Sequence, residues 1–196
     1  MRYTKKDGFT LIEVSLVLGI AGLIFVMAFV AVPALWATAR DAERRDDVLT
    51  FVQKLKDFQT NNNRGALPDL AASGMNENNM NGGTVYSVNG STVASNTRTA
   101  TSWQGFYRDF FTKDFADPDG TRYNLRIAKC RAVNIDSACN TTATTGINTS
   151  GSVNHILYVV LGAVCDGDVP KSSANSRKVA VLYKMERTTN AFCANT

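Results

Sequence analysis

No charged side chain occurs between residues 14 and 39, and the run is far more apolar than anything after it. About 20 such residues cross the hydrocarbon core of a bilayer as a helix. Beyond Trp36 the pattern turns amphipathic. Val48, Val52, Leu55 and Phe58 recur at helical spacing with Arg45, Lys54, Lys56 and Asp57 among the polar positions, which extends the predicted helix to about Gln59. Asn61-Asn62-Asn63-Arg64-Gly65 and then Leu67-Pro68 end it. A helix from Phe9 to Gln59 would measure about 75 Å. Pro33 lacks a backbone donor and clashes with the preceding turn, so a kink or melted stretch is expected over residues 30–33. Ser15, Gly19 and Gly22 line one small-residue face, read either as a close-packing surface or as ordinary membrane-helix composition.

The remainder reads as a covering layer for the apolar stripe. Residues 71–102 are rich in Asn, Ser, Thr and Gly and suggest a surface loop with one short strand at 84–88. Trp103, Phe106, Tyr107, Phe110, Phe111 and Phe115 fall mostly three or four apart, predicting a short helix over 103–115 whose aromatic stripe belongs to the core. Asp117-Pro118-Asp119-Gly120 is a turn signal. Runs at 123–130, 155–165 and 178–185 are strand-like and are separated by polar segments at 140–152 and 166–176. The expected class is α+β: a long N-terminal helix, its first half in the membrane, packed against a C-terminal antiparallel sheet.

Charge sets the orientation. Arg2, Lys5 and Lys6 precede the apolar run, while Arg40, Asp41, Glu43, Arg44, Arg45, Asp46 and Asp47 after it are mixed in sign. The excess of basic residues keeps the amino terminus in the cytoplasm and places the bulk of the chain outside. A secretory signal peptide is the competing reading, with Ala37-Thr38-Ala39 as a small-x-small cleavage site. Its apolar core is only about 7 to 15 residues, and neither it nor a plain anchor has a use for Glu13. An acid at membrane depth costs about 2.5 to 3.5 kcal/mol on insertion scales and implies a partner. Cleavage after Gly8 would supply one: the new amino group of Phe9 lies at nearly the depth of Glu13 on a neighbouring copy, and opposite charges attract strongly in a low dielectric.

Gly8 followed by Phe9-Thr10-Leu11-Ile12-Glu13-Val14, behind a short basic leader and ahead of a long apolar helix, resembles the type IV pilins and the type II secretion pseudopilins. The motif and architecture cover about residues 1–60; beyond that the likeness is one of layout. The resemblance implies a pilin-like fold and a prepilin peptidase that cuts after Gly8 and methylates Phe9, with Glu13 guiding subunits into a helical fibre. Residues 1–8 are then a leader, 9–36 a transmembrane and polymerisation helix, 37–60 its amphipathic half, and 61–196 an extracytoplasmic pilin domain. The implied partners are other copies of the chain, the peptidase, the assembly machinery with its ATPase, and the membrane. For a displayed filament in motility or adhesion they extend to DNA or the surface of a host or other cell. The implied location is the cytoplasmic membrane for the single-pass precursor and the extracellular filament for the product. Many pilins carry their helix-breaking proline at the position of Val30, three residues before Pro33.

Cys130, Cys139, Cys165 and Cys193 fall in the part placed outside the cytoplasm, where disulfides persist. Of the three pairings four cysteines allow, we favour Cys130 with Cys139, closing a short loop, and Cys165 with Cys193, tying the last segment to the sheet. The longer loop is worth about 3 to 4 kcal/mol on a chain-entropy argument. The tail Ala191-Phe192-Cys193 resembles the disulfide-closed end of many pilins. Zinc is the competing reading, with no close cysteine pair and one histidine, His155, to serve it. Asp117-Pro118-Asp119-Gly120-Thr121-Arg122-Tyr123 is similar to an Asp-Pro-x-Gly-x-x-Tyr turn of pseudopilins, some of which bind calcium nearby. Asp166-Gly167-Asp168 could add oxygen ligands, but the spacing is not that of an EF-hand, and a plain turn is expected. No metal or cofactor is expected.

The chain of 196 residues carries a net charge of +4, and the leader accounts for about half of it. Such a balance does not argue for nucleic acid, and Arg122, Arg126, Lys129 and Arg131 read as a solvated face. Asn89, Asn140 and Asn148 head glycan sequons that arise easily by chance. No nucleophile elbow or phosphate loop appears, so an enzyme is not expected. The leading reading is a structural subunit of a type IV pilus. The alternatives are a pseudopilin in a short periplasmic piston, and a monomeric membrane-anchored binding module.

Overall fold

A computed structural model describes residues 8–61, 65–69, 86–89, 102–111, 115–130, 139, 155–188 and 191–196. The basic residues before Gly8, residues 70–85 and 90–101, for which a surface loop was expected, and the polar segment 140–152, with Asn140 and Asn148, lie outside the described residues. The chain divides into two compact units, Met1–Ala39 and Arg40–Thr196.

Helix α1 (Leu11–Asn61) is long and apolar enough in its first half to cross a membrane by length and composition. The large side chains there, from Leu11 through Phe25 to Trp36, are exposed in the isolated chain. Its polar hydroxyls are turned inward on the helix itself: Ser15 Oγ donates to the Ile12 carbonyl at 3.0 Å and Thr38 Oγ1 to the Ala34 carbonyl at 2.8 Å. Back-bonding of this kind gives each hydroxyl a partner within its own helix. The melted stretch expected over residues 30–33 is not found, because Pro33 lies inside an unbroken helix. Proline withholds one donor, and the bonds of the neighbouring turns carry the helix past it.

In the second unit, Val48, Phe51, Val52, Leu55 and Phe58 make the buried stripe of α1. The spacing is that of a core-facing helix. A short helix α2 (Trp103–Phe110) begins at Ser102, whose Oγ accepts the Gly105 N–H at 3.0 Å. It ends five residues before the sequence pattern suggested. Phe111 leaves in extended backbone to stack on Phe51, with ring centroids 5.2 Å apart, and lies 4.2 Å from Phe115. The aromatic stripe is core, as its spacing implied.

The main sheet takes β1 (Tyr86–Asn89), β2 (Asn124–Lys129), β3 (Ile156–Leu161), β6 (Val179–Lys184) and β7 (Ala191–Asn195) in the order β1-β2-β3-β6-β7. A separate hairpin pairs β4 (Ala163–Asp166) with β5 (Val169–Ser172). Three of the four main pairings are antiparallel, but β2 and β3 run parallel, Asn124 opposite Ile156. The antiparallel sheet expected from the sequence is found, with this one parallel pairing inside it. The connection over residues 130–155 exceeds the dozen or so residues a parallel crossover needs, so nothing in the chain forbids it.

Alternation divides the strands between two cores. Leu125, Ile127, Leu157, Val159, Val181 and Tyr183 join α1 and α2 in one cluster. Tyr158, Val160, Ala180 and Leu182 form the other with Cys139 and Ala163. The disulfides are Cys130–Cys139, with Cα atoms 5.0 Å apart, and Cys165–Cys193, at 5.8 Å. These are the pairings favoured from the sequence. Cys130, Cys165 and Cys193 all pack on the second cluster, so both bridges close the face of the sheet remote from α1.

Candidate functional site

Gly8 and Phe9 are exposed, and Phe9 touches no aromatic ring among the described residues. Glu13, one turn on, is engaged locally. Its Oε2 accepts the Thr10 N–H at 2.8 Å and the Thr10 hydroxyl at 2.9 Å, and Thr10 Oγ1 accepts the Glu13 N–H at 3.3 Å. This is a reciprocal capping box, which satisfies helix-end donors that would otherwise be orphaned. Oε1 has no hydrogen-bond partner among the described residues. The carboxylate therefore serves the helix with one oxygen and presents the other. The signal was in the sequence, since Thr10 and Glu13 stand at the spacing of a capping box, but Glu13 was weighed there only as an isolated acid.

A second polar cluster lies in the unit Arg40–Thr196 and was not foreseen. Arg44 is only 3 % exposed and sits on the same buried stripe as Val48 and Phe51. Its guanidinium grips Asp117 with two bonds, Nε to Oδ2 at 2.8 Å and Nη2 to Oδ1 at 2.9 Å. Nη1 reaches Asp41 Oδ1 and Glu186 Oε2, both at 3.0 Å. Tyr183 donates its hydroxyl to Asp117 Oδ2 at 2.6 Å. The Asp41 carboxylate accepts the N–H groups of Glu186 and Arg187, at 2.8 and 3.0 Å. Asp117 also heads the predicted turn, its carbonyl accepting the Gly120 N–H at 2.7 Å. One carboxylate thus fastens α1, the turn and β6 together. Nearby, Tyr123 donates to Asp47 Oδ2 at 2.6 Å, and Tyr107 to the Tyr123 carbonyl at 2.8 Å.

Asp117, Asp119 and His155 bring donor atoms within 4.8 Å of one another. His155 Nε2 lies 3.3 Å from Asp119 Oδ2. The set does not suit a cation, because both Asp117 oxygens are occupied by Arg44 and the guanidinium already holds the positive charge such a site would take. Asp166, offered from the sequence as a further oxygen ligand, instead pairs with Lys171 within the β4–β5 hairpin. The chemistry of the cluster is structural.

Burial alone would push the Asp117 carboxyl up, but the hydrogen bonds from Arg44 and Tyr183 hold it below the ordinary carboxylate range. Hydrogen bonds from Arg40 and then Arg44 draw Glu186 down to about 2. Burial raises Asp47. For acids whose folded pKa is depressed, the contribution to stability is complete above their unfolded values near 4 and is lost as pH falls through the folded ones. Asp47 works in the opposite sense. The melting temperature of the full chain in neutral detergent should therefore be flat from pH 7 to about 5 and fall steeply between about pH 4 and 2. A melting temperature unchanged at pH 2 would show that the Arg44 cluster contributes nothing.

No family model, curated protein or solved structure matched this chain in the comparisons.

Proposed function

We propose that the chain is a structural subunit of a type IV pilus filament, with no catalytic role. In this reading the peptide bond after Gly8 is cut by a prepilin peptidase and the new terminus at Phe9 is methylated. The mature helix waits in the cytoplasmic membrane with its amino terminus inside, until the assembly machinery draws it into an extracellular filament. The observation that carries the reading is a membrane-length apolar half of α1 headed by an exposed carboxylate, one oxygen of which is unengaged among the described residues. Apolar helices would exchange lipid for one another, and the Oε1 of Glu13 would meet the amino group of a neighbour's Phe9. An ion pair at that depth penalises any wrong axial stagger. Two disulfides in the outer unit support an oxidising destination.

The capping box favours one competing reading, a monomeric membrane-anchored module in which Glu13 does no more than cap its helix. Electron microscopy of sheared surface material separates the two. Long fibres containing this chain are expected from the native protein, and a Gly8→Arg variant should yield no fibres and accumulate as an unprocessed precursor. A mature-sized product from Gly8→Arg would refute the assigned cleavage site.

A further inference from the structure

Where the end of α1 approaches the turn between β5 and β6, the unit Arg40–Thr196 carries an open concavity of about 450 Å³. Lys56, Arg177 and Lys178 line it together with Thr196, and no aspartate or glutamate does among the described residues. Lys178 Nζ is occupied by the main-chain oxygen of Thr196. Lys56 and the Arg177 guanidinium have no carboxylate within ion-pair distance among the described residues.

The backbone that carries these cations is fixed at several points. Gln59, in the last turn of α1, donates its side-chain amide to the Arg177 carbonyl at 3.0 Å. The Arg177 N–H donates to Asn175 Oδ1 at 3.0 Å, and the Lys178 N–H to the Asn175 carbonyl at 3.1 Å. Because Asn175 spends its oxygen on Arg177, its amide N–H groups remain as donors at the rim. Gly65 closes the helix end with a φ of +82°, its N–H donating to the Gln59 carbonyl at 2.8 Å. The guanidinium rests against that glycine, where a Cβ would come within 3.1 Å of Nη1. Gly65 therefore both turns the chain and leaves room for Arg177.

We infer that this concavity binds a small sugar bearing an oxyanion, a phosphate or a sulfate. The planar fork of an arginine matches an oxyanion with two parallel donors, and Lys56 adds a point charge beside it. The space exceeds what one oxyanion fills and falls within the range of small-molecule sites. Among the described residues its remaining side chains are the polar Gln59, Thr60 and Asn175, which suit a polar remainder of the ligand.

The test uses the full chain in neutral detergent micelles at physiological salt, titrated with glucose 6-phosphate, glucose 6-sulfate and glucose and followed by calorimetry. Saturable binding of one or both anionic sugars is expected, and none of glucose; the stronger of the two identifies the oxyanion. Arg177→Gln and Lys56→Gln should each weaken it about tenfold, the loss of one charge-assisted contact. Arg126→Gln removes an exposed cation on β2 and should change nothing. The inference is overturned if neither anionic sugar binds saturably, if glucose binds as well as they do, or if Arg126→Gln weakens binding as much as Arg177→Gln. Binding of a short DNA duplex without saturable binding of either sugar would overturn it as well, by showing a diffuse polyanion surface.

Discussion

An Arg44→Met variant is expected to lose about 3 to 5 kcal/mol of the folding stability of the unit Arg40–Thr196, the cost of breaking a buried ion pair from one side. Methionine fills much of the same volume and keeps the helix propensity, so the loss reports charge and hydrogen bonding more than packing. It leaves the Asp117 carboxylate, 2 % exposed, with Tyr183 as its remaining side-chain donor. Glu186 keeps Arg40, a half-exposed pair that is worth little by itself. Asp117→Asn should cost a comparable amount, because it abandons the guanidinium. The two changes combined should cost less than their sum, since each removes the same contact. Urea unfolding followed through the buried Trp103 would measure all three. A loss below about 1 kcal/mol for Arg44→Met would place the cluster with exposed surface pairs.

Glu13→Gln and Glu13→Ala separate the two things Glu13 can do. Glutamine at the third helical position still completes a capping box, so Glu13→Gln keeps the local bonds to Thr10 while removing the charge. Alanine removes both, and loss of the box costs the helix about 1 kcal/mol. On the filament reading the charge is what counts. Both variants should insert in the membrane at normal levels, and both should reduce filaments in the sheared fraction at least about tenfold, which needs only about 1.4 kcal/mol per subunit contact. If Glu13→Gln assembles normally and Glu13→Ala does not, capping explains the residue and the pairing argument fails.

Periodicity carried most of the fold. The stripe of Val48, Val52, Leu55 and Phe58 lay on the core as its spacing required, and the aromatic run at 103–111 lay there with it. The apolar strands β3 and β6, buried on both faces, read as near-continuous hydrophobic runs. The hairpin strand β5, Val-Pro-Lys-Ser, was hidden because only its proline is buried and no alternation marks it. The direction of β2 against β3 depends on how a long polar connection travels, and no residue pattern encodes that. Arg44 was missed for a different reason. A charge on an apolar stripe is visible by position, three residues after Asp41 and four before Val48. Its partners Asp117 and Glu186, however, come from distant parts of the chain. Gly8, Phe9 and Glu13 stood out because they lie close together in the sequence; the bond of Glu13 to Thr10 has an equally short spacing but was not read, because Glu13 was weighed only as an isolated acid.

The most direct measurement of the central claim is the intact mass and first residue of the protein recovered from sheared surface material. A chain beginning at Phe9 and carrying one methyl group on its amino nitrogen is the predicted result. A chain that still begins at Met1, or one that begins at Arg40 after removal of the apolar run as a signal, would contradict it.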